Sequence, residues 1–530
     1  MPLRAFEGLL GTERVITAPD VCALHSEDIA GKAPKTVAAV IRPPNADMLA
    51  RVVALAGSTG FSIHPRGGGM SYTGGYLPEC SNALSLDLSD LDQVIEIDPV
   101  SRHVIVEAGC SWAKLLEALA VAGYRTPFFG PLSGITATIG GALSQNGAFF
   151  GSAAFGYAAD HVLGLEIVDG TGKPHRLGAW AAGRQPSLSY FGPDLLGPFL
   201  GDCGAFGIKT KAVLPLVPSP PDPVFASFAF GAADQVLSAM QTLLDIPHLA
   251  EVWAMDRVAH RNLAATGFSV LESSSMASDI AGKSRSITET ARHLLAGRRL
   301  HRAMLADLAW TLHVVIEPPV AGLASTLADA VATAAEKSGS TVIPDTIPRV
   351  TRARPFRPIK ALIGPHGERW LSCHGVFPAG HARSGYRAAA EVIEAKAERM
   401  ADHDIRATFL LAAVKGEILI EPQLFWPDAL TLFQKTRSPT QQAEPYLEAA
   451  PQPEARQLAI DLRRCLGEAM AAAGGSHLQI GHHYRYIDDL PDGWKHMLRT
   501  LKRLFDPDGI LNPGVLGLST EDASKSGSRA

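Results

Sequence analysis

The chain has 530 residues, 46% apolar and 19% charged, with a formal net charge of −5. This is the composition of a globular protein of two or three domains, and without a clustered basic run it excludes a nucleic-acid partner, whose phosphates need a positive face. The six cysteines are scattered and form no C-x-x-C, so zinc and dithiol-redox motifs are absent and nothing suggests a disulfide framework; free thiols predict a reducing, cytoplasmic setting.

The opening run MPLRAFEGLLGTERVITAPD is too charged for a signal peptide, and no stretch reaches the roughly 18 apolar residues of a membrane span. Next, KTVAAVIRP reads as a β-branched strand ending at Pro43 and Pro44. NADMLARVVALA reads as a helix with Asn45 as N-cap and Gly57 as its stop. FSIHPRGGG returns to an extended run, and ALSLDLSDLDQVIEIDPVSRHVIVEAG supplies two or three further strands. Ser111 opens another helix, WAKLLEALAVA, which Gly123 closes. HVLGLEIVDGTGKPHRL reads as a hairpin turning at Asp169-Gly170 and Gly172, and AFGIKTKAVLPLVP as one more strand.

VPSPPDP at 217–223 is a boundary signal, because its prolines continue neither a strand nor a helix. Beyond it, strands such as TLHVVIEP and EILIEPQLFW mix with Ala-rich helices, the pattern of an α+β unit with its own core. YRYIDDL, an amphipathic helix GWKHMLRTLKRLF and DPDGILNPG follow. The tail STEDASKSGSRA is expected to be disordered.

Two small-residue loops carry the chemistry. Arg66-Gly67-Gly68-Gly69-Met70-Ser71-Tyr72-Thr73-Gly74-Gly75 follows a predicted strand, and the second loop runs from Pro131 to Gly147. Successive glycines let backbone N–H groups converge on an anion, and hydroxyls and Arg66 add donors and charge. Either loop alone could be a tight turn; the two together favour a pyrophosphate held from two sides. No G-x-G-x-x-G opens a helix after a strand, and G-x-x-x-x-G-K-[ST], H-E-x-x-H and G-x-S-x-G are absent.

As a set these loops, with I41-R-P-P, D160-H-V-L-G-L-E-I-V168, F199-L-G-D-C-G-A-F-G-I-K-T210 and D506-P-D-G-I-L-N-P-G514, resemble the FAD domain of the vanillyl-alcohol oxidase and p-cresol methylhydroxylase family, also shared by D-lactate and glycolate dehydrogenases. The resemblance covers about 35–215 and 480–518 and the middle only loosely. It implies an α+β fold, a two-subdomain FAD-binding domain with an inserted α+β cap domain: 1–218 for FAD, 219–475 for the cap, 476–518 returning to the FAD domain, and 519–530 as a tail. It also implies that FAD is held by Arg66, Gly67, Gly68, Gly69, Ser71, Tyr72, Thr73, Ser133, Thr138, Gly140, Gly141, Ser144, Asn146, Gly207, Ile208 and Asn512, with Pro513 near the flavin. Met70 stands where covalent members often carry histidine, and Thr136 near where some carry cysteine. A covalent bond from either is excluded and a non-covalent FAD is expected, a link from a cap-domain His or Tyr staying open.

On the substrate side, HLQIGHHYR at 477–485 reads as a strand placing His477, Gln479, Gly481, His483 and Arg485 on one face and His482 and Tyr484 on the other. These are either satisfied polar residues at a domain seam or a site for an organic anion. A similar Tyr-Arg pair in the aryl-alcohol branch implies the second reading, with Tyr484, Arg485 and His483 catalytic and no metal. Cys373-His374, His381, Arg357 and Arg383 read mainly as structural or surface residues. Glu421 and Gln423 line the cap face or alternate into solvent. The implied activity is hydride removal from the CH–OH group of a small organic anion, of 2-hydroxy-acid type. The alternatives are a para-substituted phenol or aryl alcohol, and a non-catalytic flavin-holding protein. The H-x-G-D-G-N-x-H metal run of the lactate branch has no counterpart here. Oxygen or a redox protein is the implied electron acceptor, and a homodimer the implied assembly.

Overall fold

The computed structural model describes residues 3–220, 222–266, 308–356, 362–438, 440–484 and 486–519. Arg485, Arg357 and the tail from 520 lie outside the described residues, as does much of the Ala/Ser-rich stretch after 266. None of the described helices is long and apolar enough to cross a membrane.

The chain begins with a four-stranded sheet, in the order Val15–Ile16, Ala39–Ile41, Ala83–Asp87, Ser62–Arg66. The last three strands run parallel, so each connection must cross over. The helix Ala46–Thr59 makes the first crossing. Asn45 caps it, its side chain accepting from Met48 N at 2.9 Å. Gly57 does not stop this helix: it sits inside, and Gly60, at φ 73°, ends it in the left-handed conformation that a glycine adopts without strain. The glycine at 57 has a packing reason instead, since a Cβ there would stand 3.2 Å from the Asp508 carboxylate.

A five-stranded antiparallel sheet follows, ordered Val94–Asp98, His103–Glu107, Ile208–Pro215, Gly164–Val168, Pro174–Arg176. Its last pair is the Asp169-Gly170 hairpin, where Asp169 Oδ1 accepts from the N–H groups of Thr171 and Lys173. The helix Trp112–Ala120, capped by Ser111, buries Trp112, Leu115 and Leu119 against this sheet. Pro218 departs from expectation: it lies in a two-residue strand paired with Tyr124–Arg125, a short ladder at whose end a missing N–H costs little.

From Val224 the chain builds an eight-stranded antiparallel sheet: Thr341–Val342, Val224–Phe230, Trp310–Ile316, Leu249–Asp256, Arg406–Val414, Glu417–Trp426, Arg369–Ser372 in order, with Gly375–Pro378 also on Glu417–Trp426. Helices Ala233–Leu243, Ala324–Lys337, Ala382–Ala395 and Pro453–Ala472 bury their apolar stripes on one face of it. Alternation sends the intervening residues to the other face, where Trp253, Val315, Ala412, Val414 and Leu419 pack with Phe149 and Tyr157 of the earlier sequence.

A buried charge cluster rivets that junction. Arg125 pairs with Glu317, and Arg352 reaches both Glu317 and, at 2.8 Å, Glu251, which also accepts from Gly151 N. Finally the helix Asp492–Phe505 brings the chain back, and Leu511 bridges to Ile63 at the edge of the first sheet. Buried Lys502 pins this return through Asp506 at 2.7 Å and the carbonyls of Ala205 and Leu511.

Candidate cofactor and substrate cavity

Arg66 ends a parallel strand, and the loop that follows is open backbone. Among the described residues, the N–H groups from Gly67 to Tyr72 donate to no protein acceptor. Consecutive unsatisfied amides of this kind form an anion-binding concavity. Arg66 is 3% exposed, and its Nε and Nη2 have no hydrogen-bond partner. Buried donors left open are costly unless a ligand meets them.

The second loop lies directly against the first. A Cβ on Gly68 would stand 1.9 Å from Thr136 O, and one on Gly67 2.2 Å from Thr138 Oγ1, so both glycines are required by close approach. Thr138 caps the short helix Ile139–Gln145, its hydroxyl accepting from Gly141 N. A third wall comes from 203–209, where a Cβ on Gly207 would meet Ile167 at 2.6 Å.

These walls enclose a cavity of about 310 Å³, within the size range of small-ligand sites. Of the residues implied to hold FAD, Gly67, Gly68, Gly69, Ser71 and Tyr72 line it from the first loop. Ser133, Thr138, Gly140, Gly141 and Ser144 line it from the second, with Gly207 and Ile208 from the third wall. Arg66, Thr73, Asn146 and Asn512 stand behind the lining. Asn146 is the left-handed cap of the short helix and accepts from Ala159 N. Thr73 O accepts from His482 N. Asn512 donates to Gly75 O at 2.7 Å and Cys203 O at 2.6 Å, and its Oδ1 accepts from His64 Nδ1. It staples the first loop to the third wall rather than facing the cavity.

The opposite side of the cavity comes from the large sheet. Trp370, Leu410, Glu421 and Gln423 line it, with Leu362 and Gln479. Glu421 pairs across the ladder with Leu410, and Gln423 with Thr408 and Ser372. Gln423 Nε2 donates to Glu421 Oε1 at 3.5 Å. Burial raises the Glu421 carboxyl above its usual range. The Tyr72 phenol, also raised by burial, sits edge-on to Trp370 at 5.5 Å.

Of the residues expected to be catalytic, His483 and Tyr484 stand away from the cavity lining. Residues 477–484 do not form a strand; they turn, with left-handed backbone at Gln479 and Gly481. The fit is tight there, since a Cβ on Gly481 would stand 2.2 Å from Thr73 O. Tyr484 lies in the core beneath the large sheet. Its hydroxyl accepts from His374 N at 2.9 Å, its ring stacks on His477 at 4.0 Å, and it does not line the cavity. His483 packs edge-on against Tyr484, and burial with the nearby Arg463 charge lowers its pKa to about 2. His374 is buried, accepting from Leu478 N, and burial lowers its pKa to about 3. Arg383 is a surface residue paired with Asp234. Glu421 and Gln423, which the sequence left between two faces, are the polar residues brought to the cavity. Their signal was two polar side chains at alternate positions in the apolar run EILIEPQLFW.

A family model for an FAD binding domain matches residues 37–178. Residues 37–178 therefore carry an FAD-binding domain. Open amides, unpartnered Arg66 donors and side-chain-free glycines in one cradle fit that cofactor, whose pyrophosphate is anionic. Among curated proteins, the chain is similar to glycolate oxidase subunit GlcD of Bacillus subtilis (strain 168), 32% identical over 182 residues, 34% of this chain and 37% of that one. It is also similar to the mitochondrial D-2-hydroxyglutarate dehydrogenase of Arabidopsis thaliana, 25% identical over 240 residues, 45% of this chain and 41% of that one. The match thus spans less than half of either relative. Among solved structures, p-cresol methylhydroxylase with substrate bound shares the fold, with a TM-score of 0.72 at 16% identity, covering 98% of this chain and 97% of that one.

Proposed function

We propose that this protein is an FAD-dependent oxidoreductase that removes hydride from the CH–OH group of a small organic donor, of the 2-hydroxy-acid class. One observation carries the reading: a single cavity has an anion-binding backbone cradle on one wall and a polar, partly aromatic side-chain wall on the other. The cradle would hold the cofactor, through the amides of 67–72 with Arg66 behind them. When bound, FAD accepts the hydride of the donor carbon. The facing wall would bind and orient the donor and manage its hydroxyl proton. The sequence relatives, a glycolate oxidase subunit and a D-2-hydroxyglutarate dehydrogenase, support a 2-hydroxy acid. The Tyr72–Trp370 pair and Phe149 in the cavity lining favour an aryl alcohol as the second reading. Reoxidation by oxygen or a redox protein completes turnover, and a homodimer in a cytoplasmic setting is the proposed assembly.

The test is a visible spectrum of the purified protein, then anaerobic addition of D-lactate and of vanillyl alcohol in separate cuvettes. Oxidised flavin bands bleached by D-lactate support the hydroxy-acid reading, and bleaching by vanillyl alcohol alone moves the assignment to the second. Flavin bands that no donor bleaches would leave a flavin-holding protein and sink the proposal.

A further inference from the structure

We propose that Glu421 is the proton acceptor of the reaction, taking the donor's hydroxyl proton within the cavity, with Gln423 positioning its carboxylate. This rests on the oxidoreductase reading and names the residue that performs its acid–base step. Among the described residues lining the cavity, Glu421 is the carboxylate. It projects from the strand Glu417–Trp426 on the face turned away from the helices, since its neighbours Ile418, Ile420, Leu424 and Trp426 belong to the helix-covered core.

Its surroundings set it apart from these enclosed acids among the described residues. Asp428 is paired with Arg369 and Arg456, Glu251 with Arg352, Asp202 with Lys209, and Asp506 with Lys502. Asp28 and Asp256, which lack such a cation, each accept from at least two backbone N–H groups. Glu421 has neither kind of partner among the described residues; its hydrogen bond is the long one from Gln423. A carboxyl that is enclosed, opens on a cavity and is not neutralised by the fold is the arrangement of a functional acid–base group.

The groups facing it are compatible with that role. Tyr72 and Cys373 are its titratable neighbours, and burial holds both neutral, with the Cys373 thiol pushed up to about 12. Ser372 offers its hydroxyl to Glu421 and Tyr72 in a contact looser than an ordinary hydrogen bond. Arg463 stands behind, spending its donors on the carbonyls of Ser372 and Tyr72. In the step, the donor O–H bond breaks and its proton goes to the Glu421 carboxylate. The C–H electron pair leaves with hydrogen as hydride for the bound flavin, and the carbon–oxygen double bond forms. Burial raises the Glu421 carboxyl, so the ionised base is present only above the ordinary carboxylate range, and the rate should rise with pH through that raised value.

The experiment compares FAD-loaded wild type with Glu421→Gln and Glu421→Asp by rapid-mixing reduction across pH, using whichever of D-lactate or vanillyl alcohol bleaches the wild type. Binding of the matching product, pyruvate or vanillin, is read from perturbation of the flavin band. Glu421→Gln should keep its FAD spectrum and bind product within about threefold of wild type. It should lose at least about 100-fold in reduction rate, the general size of a base's contribution, together with the ascending pH limb. Glu421→Asp should recover part of the rate and keep the limb. A Glu421→Gln protein that reduces within about threefold of wild type on the same pH limb overturns the assignment while leaving the oxidoreductase reading intact. If that variant loses FAD, Glu421→Ala is read in its place, and an unchanged rate and limb there overturns the assignment equally. Wild-type flavin that no donor bleaches removes the functional reading itself, and the assignment with it.

Discussion

The two walls of the cavity are built on different principles. The cradle is continuous backbone: adjacent residues, free amides, and glycines forced by loops that approach to sub-van der Waals distance of any Cβ. The facing wall is assembled from side chains on strands far apart in sequence, with Trp370, Leu410, Glu421 and Gln423 meeting only because the large sheet registers them. A backbone-built wall tolerates little substitution and serves a common chemical group. A side-chain wall can be exchanged residue by residue, which is where substrate choice resides.

That contrast can be broken at several strengths. The strongest test lies at the seam joining the walls. Arg352→Ala leaves Glu251 and Glu317 buried with reduced compensation and should destabilise the protein by about 3–5 kcal/mol, read as a lower denaturation midpoint by both flavin fluorescence and far-UV circular dichroism. Next is Gly68→Ala, whose new methyl meets a backbone carbonyl at 1.9 Å. Displacing the second loop costs about 1–3 kcal/mol, and the purified protein should keep its circular dichroism while losing most of its bound FAD. Full FAD occupancy in this variant would contradict the cradle. Gln423→Leu, on the other wall, should reverse that pattern. FAD content stays at the wild-type level and donor reduction slows about tenfold, because Glu421 loses the amide that holds it. If this variant sheds FAD instead, the division of labour between the walls is wrong. Smallest is Arg383→Ala, a half-buried surface partner of Asp234, which should change stability by less than about 1 kcal/mol and leave both FAD content and reduction unaltered.

The fold and the site were legible to different depths for the same reason. Asn45 and Ser111 act as caps because a cap acts within its own turn, and three residues of sequence contain the whole interaction. The stop at Gly57 failed because that glycine answers to Asp508, distant in sequence, whereas Gly60 answers to its own φ. The strand expected at 477–485 failed for a similar cause. Its alternating polar residues look like two faces of a ribbon, yet Tyr484 is bonded to His374 N and His482 Nδ1 to Gly74 O, partners that local spacing does not reveal.

By itself the sequence determined the cradle. Runs of small residues after a strand define a backbone surface, and the physics of open amides and absent Cβ atoms is contained in adjacent residues. Tertiary structure alone decided which side chains face that surface. It moved His483 and Tyr484 into packing and brought Glu421 and Gln423 to the cavity. The face a strand turns toward a ligand depends on what covers its other face, and here that cover is the set of helices from Ala233–Leu243 to Pro453–Ala472.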